Sequence, residues 1–333
     1  MTQKLHGLDI IADVIREYYD LGEVQRPRAL EAAHQRRHRK MIVDTDAGRF
    51  LAKTYKRDPV ILDALRFQHH LSDHLHENGL PVARIQRATD GTGVIEVDNW
   101  ALELQQFVEG EPMRVNTVTL TKSARALGLF HKVCQGLPAP PRDVNMWRFS
   151  EVPRAAFESF FATAREQHDD AAVTAHCNNI ARFLHGAAQE LSMEKRTLFE
   201  TGLIHGDWHG ANLLFCGDKL NAILDLEFAG KGCYLEDIAY ALSNLCIRTT
   251  MNQKKMQTRV NLLLDNYQFF RTLSYTELVA LYYAAGVKHI TTVSYQTQQA
   301  GKVAGYTAAE WLERLDVQCA WLAEQSRRAR FGE

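Results

Sequence analysis

Several features are scarce in this chain, and each scarcity narrows its function. No stretch approaches the roughly 18 apolar residues that a membrane-spanning helix needs. The first residues, MTQKLHGLDIIADVIREYYD, lack a basic start, a long apolar run and a small-residue cleavage site, so no secretory leader is expected. Six cysteines, at 134, 177, 216, 233, 246 and 319, form no C-x-x-C pair and no metal-ligand spacing. They are expected to be buried reduced thiols in a cytoplasmic protein. Excess charge is missing too. With 39 basic against 40 acidic residues the net charge is −1, which gives no general drive toward nucleic acid or an anionic membrane. Internal repeats, low-complexity tracts and long linkers are also absent.

What is present is an ordinary globular composition, 46% apolar and 24% charged, over 333 residues. That length suits two lobes around one ligand site. After an opening helix, Asp9 to Tyr19, strands are expected over Glu23–Leu30, His38–Asp44 and Phe50–Tyr55, with Asp46-Ala47-Gly48 as a hairpin turn. Pro59 opens a helix with apolar residues at Ile61, Leu62, Leu65, Leu71 and Leu75, and Asn78-Gly79 stops it. Strands follow near Arg84–Ala88, Val94–Val97 and Ala101–Phe107, before Glu109-Gly110-Glu111-Pro112 breaks the pattern. Beyond Pro112, helices are expected near Thr121–Gln135, Ser150–Glu166, Ala171–Thr197, Glu236–Arg248, Lys254–Phe270, Tyr275–Tyr295 and Ala308–Ser326. One strand-like interruption covers Gly202–His205, Asn212–Cys216 and Asn221–Leu226. The reading is α+β, with a sheet-bearing lobe over 1–107 joined to a mostly helical lobe over 108–333.

That interruption carries the chemistry. Residues 203–230, LIHGDWHGANLLFCGDKLNAILDLEFAG, hold four carboxylates, two histidines and two asparagines between apolar strands. Phosphoryl transfer needs little covalent help from protein. It needs a carboxylate to orient the incoming hydroxyl and take its proton, and oxygen ligands for Mg²⁺ on the phosphates. Asp207, Asn212 and Asp225 are such a set. Asp218 and Asn221, in and after a turn, read as solvated. His205 and His209 lie in a loop rather than on a metal-binding helix, which argues against zinc.

His205-Gly206-Asp207 with Asn212, followed by Leu224-Asp225-Leu226-Glu227, resembles the H-G-D-x-x-x-x-N and D-x-E signature of the aminoglycoside phosphotransferase, choline kinase and homoserine kinase superfamily. This is the small-molecule branch of the protein-kinase-like fold. Tyr234-Leu235-Glu236-Asp237-Ile238-Ala239 extends the likeness, and YDLGEV (19–24), GRFLAKTYK (48–56) and ENGLPVARI (77–85) are similar to its homoserine kinase-like subgroup. The resemblance implies a bilobal fold and a set of roles. Asp207 orients and deprotonates the acceptor hydroxyl, Asn212 and Asp225 bind Mg²⁺, and Lys53 contacts the α/β phosphates. His205 and Asp237 brace the catalytic loop, Gln106, Phe107 and Val108 form the hinge that meets adenine, and Glu227 lies near metal or substrate.

Two features depart from the family pattern. The phosphate-covering turn is usually glycine-rich, yet here it reads Glu31-Ala32-Ala33-His34-Gln35-Arg36-Arg37. The helix glutamate that orients the lysine is replaced by Gln68, with Asp63 as a stand-in on the same helix. Asp63 and Glu103 otherwise read as surface or structural, and His69, His70, His74 and His76 as solvated or packed. Trp208 is a candidate wall of the substrate pocket, or core.

The expected activity is transfer of the γ-phosphoryl group of ATP or GTP to a hydroxyl of an amino acid, amino alcohol or sugar-like acceptor, with a homoserine kinase-like lean. Competing readings are an aminoglycoside phosphotransferase, a protein kinase and a nucleotide-binding pseudokinase. Met146–Glu158, Cys233–Glu236 and Ala280–Tyr295 are candidate acceptor-lining segments. Glu151, Glu158 and Glu236 would suit an amine, Arg148 and Lys288 a carboxylate. The expected partners are the nucleotide and the acceptor, without nucleic acid, since the Arg36–Lys40 run lacks interleaved aromatics, and without membrane. A homodimer is compatible with all of this.

Overall fold

The computed structural model describes residues 7–30, 39–140, 154–168 and 171–332. The turn at 31–37, Arg148, Glu151 and the start of the 150–166 helix lie outside the described residues. In chain order come α1 (Leu8–Tyr18), β1 (Arg28–Ala29), β2 (Arg39–Thr45), β3 (Gly48–Lys56), α2 (Pro59–Glu77), β4 (Val94–Val97), β5 (Trp100–Gln106) and β6 (Glu111–Pro112). Then follow α3 (Thr117–Val133), α4 (Arg154–Gln167), α5 (Ala171–Glu190), α6 (Met193–Arg196), β7 (Thr201–Ile204), β8 (Leu213–Cys216), β9 (Lys219–Ile223) and β10 (Gly230–Cys233). Four helices close the chain: α7 (Tyr234–Ala241), α8 (Gln253–Tyr267), α9 (Tyr275–Ala300) and α10 (Ala308–Phe331).

These elements make two compact units, Met1–Glu111 with Leu214–Glu227, and Pro112–Leu213 with Phe228–Glu333. The sequence reading kept residues 214–227 with the helical part; in the fold the β8–β9 hairpin groups with the sheet unit.

The first unit is an antiparallel sheet in the order β1-β2-β3-β5-β4. Period-two alternation gives it two unlike faces. Met41 pairs with Ala52 and Ala52 with Leu104; with Val43, Phe50 and Leu102 these pack on Ile11, Val14 and Ile15 of α1 as the core. One residue over, Lys40 pairs with Lys53 and Lys53 with Glu103, so a charged row crosses the opposite face. That face receives α2, whose start is set by Pro59 and by the Asp58 carboxylate, which accepts the Val60 N–H at 3.0 Å.

Several expectations change. The strand over Glu23–Leu30 shrinks to β1, and Arg84–Ala88 pairs only through the Ile85–Gln105 bridge. Gly230–Cys233, outside the expected strands, forms β10 against β7. The Ala171–Thr197 helix is broken after Glu190, because Ser192 caps α6 by accepting the Lys195 N–H. The helix over Glu236–Arg248 widens after α7 into a π-helical stretch, Leu242–Ile247. Asn221 is engaged, donating to Glu109 O at 2.9 Å. Cys216 is exposed while the other five cysteines are buried. Among the described residues, no helix is long and apolar enough to cross a membrane.

The second unit centres on α9, started by a Ser274/Glu277 capping box and buried along most of its length. Its His289 is fully buried, and Nε2 lies 2.8 Å from Gln318 Oε1 of α10. Burial dominates and lowers its pKa to about 4, although the Gln318 contact opposes the shift. The unfolded chain therefore binds a proton here that the folded chain refuses, so stability is full above pH ~6.5 and falls as pH drops toward 4. The loss expected from this group is about 3 kcal/mol. Urea unfolding at pH 7 and pH 5 checks it: His289→Gln should have a shallower pH dependence than wild type, and equal slopes would refute the assignment.

Candidate active site

β7 leads the chain into His205-Gly206-Asp207, and Gly206 makes the turn with φ +81°, a conformation that costs glycine little. The turn is held from below by Asp237 in the first turn of α7. Its Oδ2 accepts the His205 N–H at 2.7 Å and its Oδ1 the Gly206 N–H at 2.8 Å. His131 Nε2 lies 3.0 Å from the same Oδ2, and His131 Nδ1 is 2.9 Å from the Tyr267 hydroxyl. Asp237 is 1% exposed. Burial alone would raise its pKa, but the bond and charge of His131, with His205, lower it, so the carboxylate stays ionised. His131 itself is lowered, chiefly by burial.

Above this clamp, His205 is fully buried and its Nδ1 accepts the Asp207 N–H at 3.2 Å. The Asp207 carboxylate is half-buried. Asn212 Nδ2 donates to its Oδ2 at 2.9 Å and to its main-chain oxygen at 3.0 Å, and His209 Nε2 lies 3.2 Å from Oδ2. Burial pushes the Asp207 pKa up, yet the His209 bond and charge, with His205 and Lys288, outweigh it and hold it at about 2. Tyr240 hydrogen-bonds Asp207, and burial first, then that charge, raises the phenol's pKa. Lys288 Nζ stands 3.7 Å from the Tyr240 ring centroid. The π-helical turn brings Asn244 Oδ1 to the Gly210 N–H at 3.1 Å, which fixes the far end of the loop.

In the first unit, Lys53 is 8% exposed on β3, and its ion pair runs to Glu103 Oε1 of β5 at 3.8 Å. This corrects two expectations. The partner of Lys53 is neither Gln68, which among the described residues makes no hydrogen bond to it, nor Asp63, which is exposed and pairs with Arg66 at 2.7 Å. Of the two readings left open for Glu103, surface or structural, the structural one holds, since it is 1% exposed. Its Oε2 lies 2.7 Å from His69 Nε2 of α2, and its Oε1 accepts from Gln105 Nε2 at 2.6 Å and the Tyr55 hydroxyl at 3.4 Å. Lys40 Nζ approaches Asp225 Oδ1 at 3.3 Å, and Asp225 adopts φ +56°. Glu227 is half-buried in the same unit, close enough to Tyr55 to help raise that phenol's pKa behind burial and Glu103. In the expected hinge, the Gln106 N–H donates to Arg84 O at 2.8 Å and the Phe107 N–H to Arg49 O at 3.0 Å.

The fold thus groups His205, Asp207 and Asn212 in one loop, and Lys53 and Asp225 in the other unit. Two candidates turn inward. Trp208 is 1% exposed, donates to Ser123 Oγ at 3.1 Å and meets Phe130 and His205 edge to face, so it is core. Glu236 is buried and caps α7 by accepting the Cys233 N–H at 3.1 Å. Glu103, Lys40 and Tyr240 were missed. For Glu103 a signal existed: strand alternation across β3 and β5 sets it on the face of Lys53.

Residues 28–273 match the phosphotransferase enzyme family, and the chain belongs to that family. It is a small-molecule kinase, with a sheet-rich N-terminal part and a helical C-terminal part of the protein-kinase-like kind. A homoserine kinase of Bradyrhizobium sp. strain BTAi1 is 24% identical over 277 residues, 82% of this chain and 80% of that protein. In fold, the chain is similar to an aminoglycoside phosphotransferase from Alicyclobacillus acidocaldarius, with TM-score 0.68, 15% identity and coverage of 100% and 97%. It is also similar to the amicoumacin kinase hAmiN in complex with AMP-PNP, Ca²⁺ and Ami, with TM-score 0.63, 13% identity and coverage of 98% and 94%.

Proposed function

We propose that this kinase transfers the γ-phosphoryl group of ATP or GTP to the hydroxyl of a small acceptor carrying a carboxylate, an amino acid of the homoserine type, with Asp207 as the base. The observation that carries the reading is the Asp207 carboxylate, kept ionised and fixed by Asn212 and His209 on a loop clamped by Asp237. The acceptor hydroxyl donates to Asp207, passes its proton there and attacks the γ-phosphorus in line, as the bond from that phosphorus to the β–γ bridging oxygen breaks and the nucleoside diphosphate leaves. His205 and Asp237 keep the carboxylate where the hydroxyl arrives.

Lys53 meets the α/β phosphates, and the Val108 N–H serves adenine, because those of Gln106 and Phe107 are engaged. Asn212 and Asp225 suit a hard divalent cation. The Asn212 amide nitrogen is committed to Asp207, so its oxygen is the free ligand, and Asp225 adds a carboxylate. Mg²⁺ bound there would neutralise charge on the phosphates. Charge supports this acceptor class. Lys288 is close enough to Asp207 to lower its pKa, and a cation at that place attracts a carboxylate and repels a polycationic aminoglycoside.

Nucleotide consumption with Mg²⁺, measured over homoserine, serine, threonine, choline, ethanolamine, methylthioribose, common sugars and several aminoglycosides, tests this. ADP or GDP release that depends on a hydroxy amino acid supports it. Turnover only with an aminoglycoside would overturn the acceptor class. Nucleotide binding without turnover on any acceptor would favour a pseudokinase.

A further inference from the structure

We propose that Glu103, held by His69, is the carboxylate that positions Lys53 for the nucleotide, so that the lysine's partner comes from strand β5 instead of helix α2. The inference rests on the reading that Lys53 meets the phosphates.

Lys53 and Glu103 are directly opposed in the antiparallel β3–β5 pair, so both side chains rise from the same face of the sheet. The carboxylate is 1% exposed, and an ionised carboxylate at that depth persists only with cationic or hydrogen-bonding partners. It has both. Gln105 and Tyr55 donate to Oε1, His69 Nε2 sits 2.7 Å from Oε2, and Lys53 Nζ approaches Oε1 at 3.8 Å. Three of these contacts come from neutral or ring groups with short reach, which immobilise the carboxylate. The fourth is a flexible lysine stem that the fixed charge then draws to one place. At 3.8 Å the ammonium is steered without being locked in a short bond, so its hydrogens stay available to a phosphate.

Helix α2 still takes part. It carries a neutral amide at Gln68, but one residue on it offers His69, 3% exposed, whose Nε2 is aimed at Glu103. The order of support is therefore α2, His69, Glu103, Lys53. Gly93 backs this chain from the other side. A Cβ added there would fall 2.4 Å from His69 Nδ1, so the backbone just before β4 leaves the imidazole little room to leave Glu103. A merely structural ion pair would have the same contacts, so the test must read the nucleotide.

MgADP affinity measured by calorimetry for wild type, Lys53→Met, Glu103→Gln and the double variant supplies that readout. Each single change is expected to weaken MgADP by about tenfold or more, and the double variant to bind no more weakly than Lys53→Met alone. The KM for the acceptor should not move. If Lys53→Met weakens MgADP while Glu103→Gln leaves it unchanged, or adds its full effect to that of Lys53→Met, the positioning role is overturned and the reading of Lys53 stands. If Lys53→Met binds MgADP as wild type does, the reading of Lys53 falls, and this inference with it. Should Glu103→Gln fail to fold, His69→Ala reads the same support one contact further out. There the nucleotide KM should rise severalfold at constant acceptor KM, and an unchanged nucleotide KM would overturn the proposal.

Discussion

Replacing Asp207 with asparagine is expected to lower kcat by about a thousandfold while MgADP affinity stays within about twofold. Asparagine is nearly the same size and keeps one acceptor oxygen, so the loop can retain its shape. What disappears is the negative charge that receives the hydroxyl proton. The carboxylate's low pKa means that the wild-type group is ionised throughout the neutral range, so the loss is not a matter of pH. Asn212 adds a second reason. Its Nδ2 donates to Asp207 Oδ2, and a donor amide at 207 would oppose that nitrogen unless it turned its oxygen that way. Single-turnover rates at saturating nucleotide, with ADP binding measured in parallel, check the split. Near-normal turnover in Asp207→Asn would show that another group accepts the proton, and lost ADP binding would show that 207 serves the nucleotide.

The second large effect is on stability. Asp237→Ala is expected to cost roughly 3–5 kcal/mol, because it strips the partner from the buried His205 N–H, the part-buried Gly206 N–H and His131 at once. A loss of that size should appear as a fall in Tm on the order of 10 °C. Since Asp237's pKa is lowered in the fold, its contribution is present above the ordinary carboxylate pKa and lost as pH falls through the native value. The wild-type advantage over Asp237→Ala should therefore shrink in acid. Thermal unfolding of both proteins from pH 7 to pH 3 measures this. A Tm within a degree or so of wild type at pH 7 would mean that the loop is held by other contacts.

These two experiments bear on the part of the protein that was plainest in the linear chain. His205, Asp207 and Asn212 lie within eight residues, between apolar strands; one glycine turn and hydrogen bonds of short separation bring them together, and Asp237 and Asn244 hold the loop from a distance. The membership of the phosphotransferase family, the α+β organisation and most helices followed from the same kind of evidence, since helical periodicity and caps act over one to four turns. The strand signals were weaker where pairing partners were distant. Gly230–Cys233 carries two glycines and no β-branched residue, so nothing in its composition announces a strand; only the facing edge of β7 makes it one.

What tertiary structure alone decided is which charge answers which. Asp225, just past the end of β9, meets Lys40 across 185 residues of chain, and Lys53 meets Glu103 across fifty through the β3–β5 register. Glu103 read as surface or structural, because charged residues in strands usually face water, and burial beneath α2 settles it as structural. Trp208 read equally as a pocket wall or as core, and the turn at Gly206 sends it into the core beside Phe130. The physical reason is the same in each case. A motif of short span is built by backbone turns that its own residues dictate, whereas the partner of a buried charge is whichever group the packing of distant elements brings within a few ångströms.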